Sequence, residues 1–151
     1  MDRTRAALTP RLIDSLYVEA MLLADEARAY FDKHGRDERM SLDPLVRVGF
    51  SCESLKVTTR LMHIIAWLLT QRAVAAGELT SEQARNPERQ LGEAVESDEE
   101  VLEKLPQSAL DLIRSSRDLY DRVRRIEEGN SADQPPQSPA RSLLSRLQRS
   151  I

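Results

Sequence analysis

The sequence predicts an all-α fold: an antiparallel three-helix bundle, homodimeric, with a short helix in the 2–3 connection and a flexible C-terminal tail. Three observations carry this expectation. Alanine, leucine, glutamate and arginine, all strong helix formers, dominate the composition. Aromatic residues make up only 4% of the chain and there are five glycines, which is poor material for a β-sandwich. Finally, the apolar residues recur near a 3.6-residue period inside segments bracketed by helix start and stop signals. At 151 residues, 40% apolar and 31% charged, the chain has enough material to bury one core.

Thr9-Pro10 reads as the start of the first helix, a hydroxyl cap followed by proline at the first helical position. Leu12, Ile13, Leu16, Leu23, Ala27 and Phe31 form its apolar stripe, widened by Tyr17, Ala20, Ala24 and Tyr30. Lys33 and His34 suit the negative end of the helix dipole, and Gly35 reads as the C-terminal cap. Arg36 to Leu42 is polar and short, and predicts a loop.

Asp43-Pro44 repeats the start signal, and the next strong stop is Gly77. The proline-free span between them, if helical throughout, is a rod about 50 Å long at 1.5 Å per residue. From Leu45 to Thr59 its apolar residues form one stripe, mainly Leu45, Val48, Cys52 and Leu55. From Leu61 to Leu69 it reads LMHIIAWLL, apolar nearly all round. A helix apolar on all sides must be covered on all sides. A second copy of the chain is the economical cover, so a homodimer with its seam on this helix is expected.

Thr80-Ser81-Glu82-Gln83 has capping-box spacing and predicts a short helix ending near Asn86-Pro87. The acidic run of Glu93, Glu96, Asp98, Glu99, Glu100 and Glu103 predicts a solvated connector with a helical turn or two. Pro106 begins the third long helix, whose face of Ala109, Leu110, Ile113, Ser116, Leu119, Tyr120, Val123 and Ile126 points to the core, with Gly129 as its cap. The three long helices are thus expected near 10–34, 44–76 and 106–128. Residues 1–129 read as the bundle domain. Residues 130–151 read as a Pro/Ser/Gln linker plus a short basic amphipathic segment carrying Leu143, Leu144 and Leu147.

The chemistry available is sparse. One cysteine, Cys52, excludes an internal disulfide framework and a cysteine-based zinc site, and its neighbours suggest a small buried residue. Two histidines leave little for a metal cluster. Neither a nucleophile elbow nor a Gly-rich phosphate loop appears, so no enzyme activity and no cofactor are expected. The first residues lack the apolar core of a secretory signal. The longest nearly uncharged stretch, Leu61 to Gln71, is far short of the roughly 20 residues a spanning helix needs. A cytoplasmic protein without membrane contact is the expectation. Residues 1–129 hold 19 Lys/Arg against 24 Asp/Glu, and such an acidic body argues against nucleic-acid binding.

Lys56, Arg60, His63 and Trp67 fall on one side of the second helix. A solvent-facing histidine there would suit a phosphotransfer bundle using His63, the alternative to a pure binding module. Against it, Ala66 stands where monomeric phosphotransfer domains usually carry a lysine. Trp67 sits where polar stripe meets apolar girth, a place for a core residue or a binding hot spot.

Gly49 to Thr80, GFSCESLKVTTRLMHIIAWLLTQRAVAAGELT, resembles the signature of the RcdA-like family, alphaproteobacterial regulators of CtrA degradation catalogued as DUF1465-type proteins. The core TTRLMH-x-x-AWLL-x-QRAV-x-AGE-x-T carries the likeness, and the helical order from Thr9 to Gly129 agrees with it. The resemblance implies a dimeric three-helix bundle that acts as an adaptor for the AAA+ protease ClpXP. In that system the protease is primed by a response regulator. The adaptor brings cargo directly or through a second, cyclic-di-GMP-binding adaptor, so that cell-cycle regulators such as CtrA are degraded at the right stage and cell pole. No residue-level site map comes with the resemblance. From exposure logic, the contact candidates are Arg60, His63, Trp67, Leu68 and Arg72 on the second helix and Leu143, Leu144 and Leu147 on the tail.

Overall fold

The computed structural model describes residues 2–132, and all of its regular structure there is helical. Three long helices pack against one another: α1 (Asp2–Ala29), α3 (Pro44–Ala75) and α6 (Gln107–Ala132). A π-helical turn (Tyr30–His34) joins α1 to the short α2 (Gly35–Met40). Between α3 and α6 lie α4 (Ser81–Ala84), a 3-10 turn (Pro87–Arg89), an extended strap and α5 (Glu99–Leu102).

Helix directions follow from which residues meet. Arg72, near the end of α3, lies against Asp14 and Tyr17 of α1, while Phe31 at the other end packs on Phe50. Helix α1 is therefore antiparallel to α3. Arg122 of α6 pairs with Glu19, while Ser115 lies across a groove from Glu26, so α1 is antiparallel to α6 as well. Helices α3 and α6 run the same way: Arg60 bonds Ser116, and Gly92 of the strap touches both His63 and Tyr120 one turn further along each helix. Helix α1 thus runs antiparallel to both other long helices, and the remaining pair, α3 and α6, is parallel. That pair is parallel because the 76–106 connection returns the chain to the start of α3, largely through residues 91–98, which form neither helix nor strand.

Several expected boundaries hold, and their causes are visible. Pro44 occupies the first turn of α3. Gly77, at φ 77°, ends it: Glu78 N–H reaches Ala73 C=O at 2.9 Å and Gly77 N–H reaches Val74 C=O at 3.1 Å, the paired bonds of a Schellman cap. The Thr80–Gln83 capping box forms with both reciprocal bonds.

Others need correction. Helix α1 begins at Asp2, so Pro10 lies within it; proline forfeits one ladder bond, which does not prevent a turn upstream. Gly35 is no cap. Its N–H bonds Tyr30 C=O across the π turn, which absorbs one extra residue and lets helical structure continue to Met40 where a loop was expected. There Arg47 caps the free carbonyls of Met40 and Leu42, both at 3.2 Å. Gly129 does not stop α6, which runs on to Ala132 with no positive φ.

The core lies between the three long helices. Ile13, Leu16, Ala20 and Ala27 of α1 meet Phe50, Val57, Leu61, Ile64 and Leu68 of α3, and the α6 face from Ala109 to Val123 closes over them. Leu12, expected in this stripe, is exposed. So is Cys52, expected to be buried. It shares the outward stripe of Leu45, Val48 and Leu55, which no other element of the described chain covers. Phe31 meets Tyr30 and Phe50 edge to face, and the three rings fill the end of the core near the π turn.

Candidate functional site

Buried charge concentrates at one place, the groove between α3 and α6 beneath the strap. Glu53 and Arg60 are 1% and 2% exposed. They lie seven residues apart, on the face of α3 that also carries Val57 and Ile64, and that spacing aims both the same way. Between them stands Ser97 of the strap. Its hydroxyl donates to Glu53 Oε2 at 2.7 Å and accepts from Arg60 Nη2 at 2.8 Å. Arg60 also donates to Val95 C=O at 3.1 Å and to the buried Ser116 Oγ of α6 at 3.2 Å. Lys56 donates to Glu53 Oε1 at 3.1 Å. Every charge in this set has partners, which is what permits its burial. Desolvation lowers the Arg60 pKa, and Glu53 opposes that shift.

The strap is held by its backbone along its whole length. Leu91 N–H donates to Glu127 at 2.7 Å. The Tyr120 hydroxyl donates to Gly92 C=O at 2.7 Å and accepts from Ala94 N–H at 3.2 Å. Asp98 N–H donates to Glu53 at 3.3 Å. The acidic side chains of the run are exposed as expected, but the segment itself is pinned rather than a loose solvated connector. Arg117 reaches across to Glu99 at 3.2 Å and steadies α5.

His63 sits beneath this strap, half-buried, instead of facing solvent. A Cβ on residue 92 would come within 2.7 Å of its ring, so glycine is what allows the strap to lie so close. Its Nδ1 is enclosed and finds no hydrogen-bond partner among the described residues. The other α3 candidates divide. Trp67 and Leu68 are core residues and Arg60 is the strap anchor, so the protomer itself occupies all three. Arg72 remains at the surface, stacked 4.6 Å above the Tyr17 ring and 3.4 Å from Asp14. Leu143, Leu144 and Leu147 lie outside the described residues.

Sequence reasoning missed Glu53, Gly92, Ser97 and Tyr120 as a unit. A signal was present: Glu53 interrupts the inward face of α3 with a charge, at a heptad from Arg60. Among the described residues no group of three or more His, Cys, Asp or Glu is placed to hold a metal ion. No helix there is long and apolar enough to cross a membrane.

Two large surfaces remain. On α3, Leu45, Val48, Cys52, Leu55, Met62 and Leu69 face outward in an uncovered stripe, with Leu55 68% and Met62 63% exposed. Beside it a groove of about 470 Å³ between α1 and α3 is lined by Met21, Phe31, Met62 and Ile65 among others.

Comparison with known proteins places these features in a family. No curated protein matches the sequence. The fold is similar to the crystal structure of RcdA from Caulobacter crescentus CB15, with a TM-score of 0.67 and 35% sequence identity, covering 83% of this chain and 97% of that one. The family model described as "Protein of unknown function (DUF1465)" matches residues 4–151, and the chain belongs to that family.

Proposed function

We propose that this protein is a non-enzymatic adaptor for regulated proteolysis, delivering cell-cycle regulators of the CtrA type to the AAA+ protease ClpXP. The observation that carries the reading is the likeness to RcdA, at 35% identity over most of both chains. The distribution of residues supports it: the buried polar groups tie the chain to itself, while apolar surface is left over for partners. The partners of this reading are the protease with its response-regulator primer, a second cyclic-di-GMP-binding adaptor and the protein cargo. It acts in the cytoplasm, with recruitment to a cell pole.

In this reading the protein is a homodimer seamed on the outward stripe of α3. Leu45, Val48, Cys52 and Leu55 alternate by three and four residues, and Met62 and Leu69 continue the stripe by sevens, the spacing that feeds one helix into another. The protomer covers Leu61, Ile64, Trp67 and Leu68 unaided, so the seam rests on Leu55, Met62 and Leu69 rather than on the whole 61–69 girth. A dimer presents each docking patch twice, which raises effective concentration without tighter contacts. Arg72 and the tail leucines 143, 144 and 147 are the contact residues at hand. Phosphotransfer through His63 gains no support from its place under the strap.

The test compares degradation of candidate cargo by ClpXP and its primer, with and without this protein. Faster loss of one or more cell-cycle regulators is the expected result. Equal rates for every such substrate would overturn the reading.

A further inference from the structure

The strap is bound as a peptide ligand is bound. Its main-chain groups at Leu91, Gly92, Ala94, Val95 and Asp98 are each met by a side chain projecting from α3 or α6, while the side chain of Val95 points out and stays exposed. Recognition through main-chain groups is tolerant of sequence and demands only an extended segment. The reading groups belong to the helices, not to the strap: Glu53 and Arg60 from α3, Tyr120 and Glu127 from α6. Small residues are required at few points, above all at Gly92 against the His63 ring. The buried Glu53–Arg60 pair is covered by the strap, whose Leu91 and Ala94 pack against the core, so an incoming segment must replace both the polar partners and these apolar contacts.

We infer that the α3–α6 groove is a binding site for an extended peptide segment of another protein, closed in the resting chain by its own strap. The ligand class is an unstructured segment with small or apolar side chains at the positions of Leu91, Gly92 and Ala94, followed by a hydroxyl as at Ser97. Tethering gives the strap a high effective concentration, so a free peptide competes poorly until the strap is loosened. The inference goes beyond the adaptor reading and does not depend on it, since peptide binding is measured with no protease present.

A fluorescein-labelled peptide of residues 89–99 serves as the probe, titrated into the full chain and followed by polarisation. Gly92→Ala together with Ser97→Ala weakens the strap at its His63 contact and its Glu53–Arg60 relay, leaving the groove residues untouched. This variant is expected to bind the peptide roughly tenfold or more tighter than the unaltered chain, because the tethered competitor is weakened. In the unaltered chain, millimolar peptide should accelerate hydrogen exchange at the Leu91 and Ala94 amides, which lose their acceptors when displaced. That second measurement stands even if the double variant fails to fold. No gain in the loosened variant, or amide exchange unmoved by peptide, would each overturn the inference. A doubled mass without peptide binding would assign the freed groove to a second copy of the strap and overturn it too.

Discussion

Helix α3 has two faces, and they differ in what each leaves unsatisfied. Its inward face carries a buried carboxylate and a buried guanidinium; the strap supplies partners for both, and α6 a further one for the guanidinium. The outward face carries Leu45, Val48, Leu55, Met62 and Leu69, which need no partner to be folded and are covered by nothing in the described chain. Folding of the protomer is therefore sensitive to one face and nearly blind to the other. Association should show the reverse sensitivity.

The largest effect is expected at the strap anchor. Arg60→Met removes the cation while Glu53 stays buried, and breaking a buried pair from one side costs about 3–5 kcal/mol. Urea denaturation should show this as a fall in midpoint. A loss below about 1 kcal/mol, the range of exposed ion pairs, would mean that water already reaches Glu53 beneath the strap.

Substitution of the two faces in parallel comes next. Leu68 is fully buried, and Leu68→Ala should cost about 2–5 kcal/mol. Leu55→Glu with Met62→Glu, on the outward face, should change protomer stability by only about 0.5 kcal/mol or less. If the proposed seam is right, light scattering at micromolar concentration should give a dimeric mass for the unaltered chain and a monomeric mass for this variant. A monomeric mass for both removes the seam. A dimer in both moves it elsewhere.

Gly77→Ala isolates a backbone term at the end of the same helix. No atom lies within 4 Å of where the new Cβ would sit, so the cost is that of the left-handed conformation alone, about 1–2 kcal/mol. Thermal unfolding measures it. An unchanged midpoint would mean that the Schellman turn relaxes without loss.

How far the sequence could be read follows the range of the interactions involved. The Thr80–Gln83 box, Pro44 and Gly77 act within a turn of themselves, and each stands where the local pattern puts it. The three long helices come from periodicity, which needs only neighbours along the helix. The strap was hidden because Glu53, Ser97 and Tyr120 come from distant parts of the chain, and an acidic, glycine-containing stretch reads as solvated whenever its partners are unknown. Gly35 was misread for a related reason: glycine marks both caps and close approaches, and here the crowding neighbour is Tyr30 across a π turn. Cys52 and the 61–69 girth show a further limit. Periodicity gives the apolar faces of a helix, not which of them the chain itself can reach.

The smallest effect is expected at the end of the core that Tyr30 closes. The Tyr30 hydroxyl donates to Glu38 across the π turn, and burial, then the Glu38 bond and charge, raise the Tyr30 pKa above its ordinary value near 10. The folded chain thus holds the phenolic proton at pH values where the unfolded chain has released it. With more protons bound in the folded state, stability falls as pH rises, beginning near the unfolded value of about 10 and continuing toward the raised folded one. Tyr30→Phe keeps the ring in contact with Phe31 and Phe50 and removes only the hydroxyl, so at pH 7 it should cost about 1 kcal/mol. The same variant should lose this residue's part of the alkaline decline, seen as a shallower fall in urea midpoint between about pH 9.5 and 11. Parallel declines in the two proteins would mean that the Tyr30 hydroxyl holds its proton no more tightly in the folded chain than in the unfolded one.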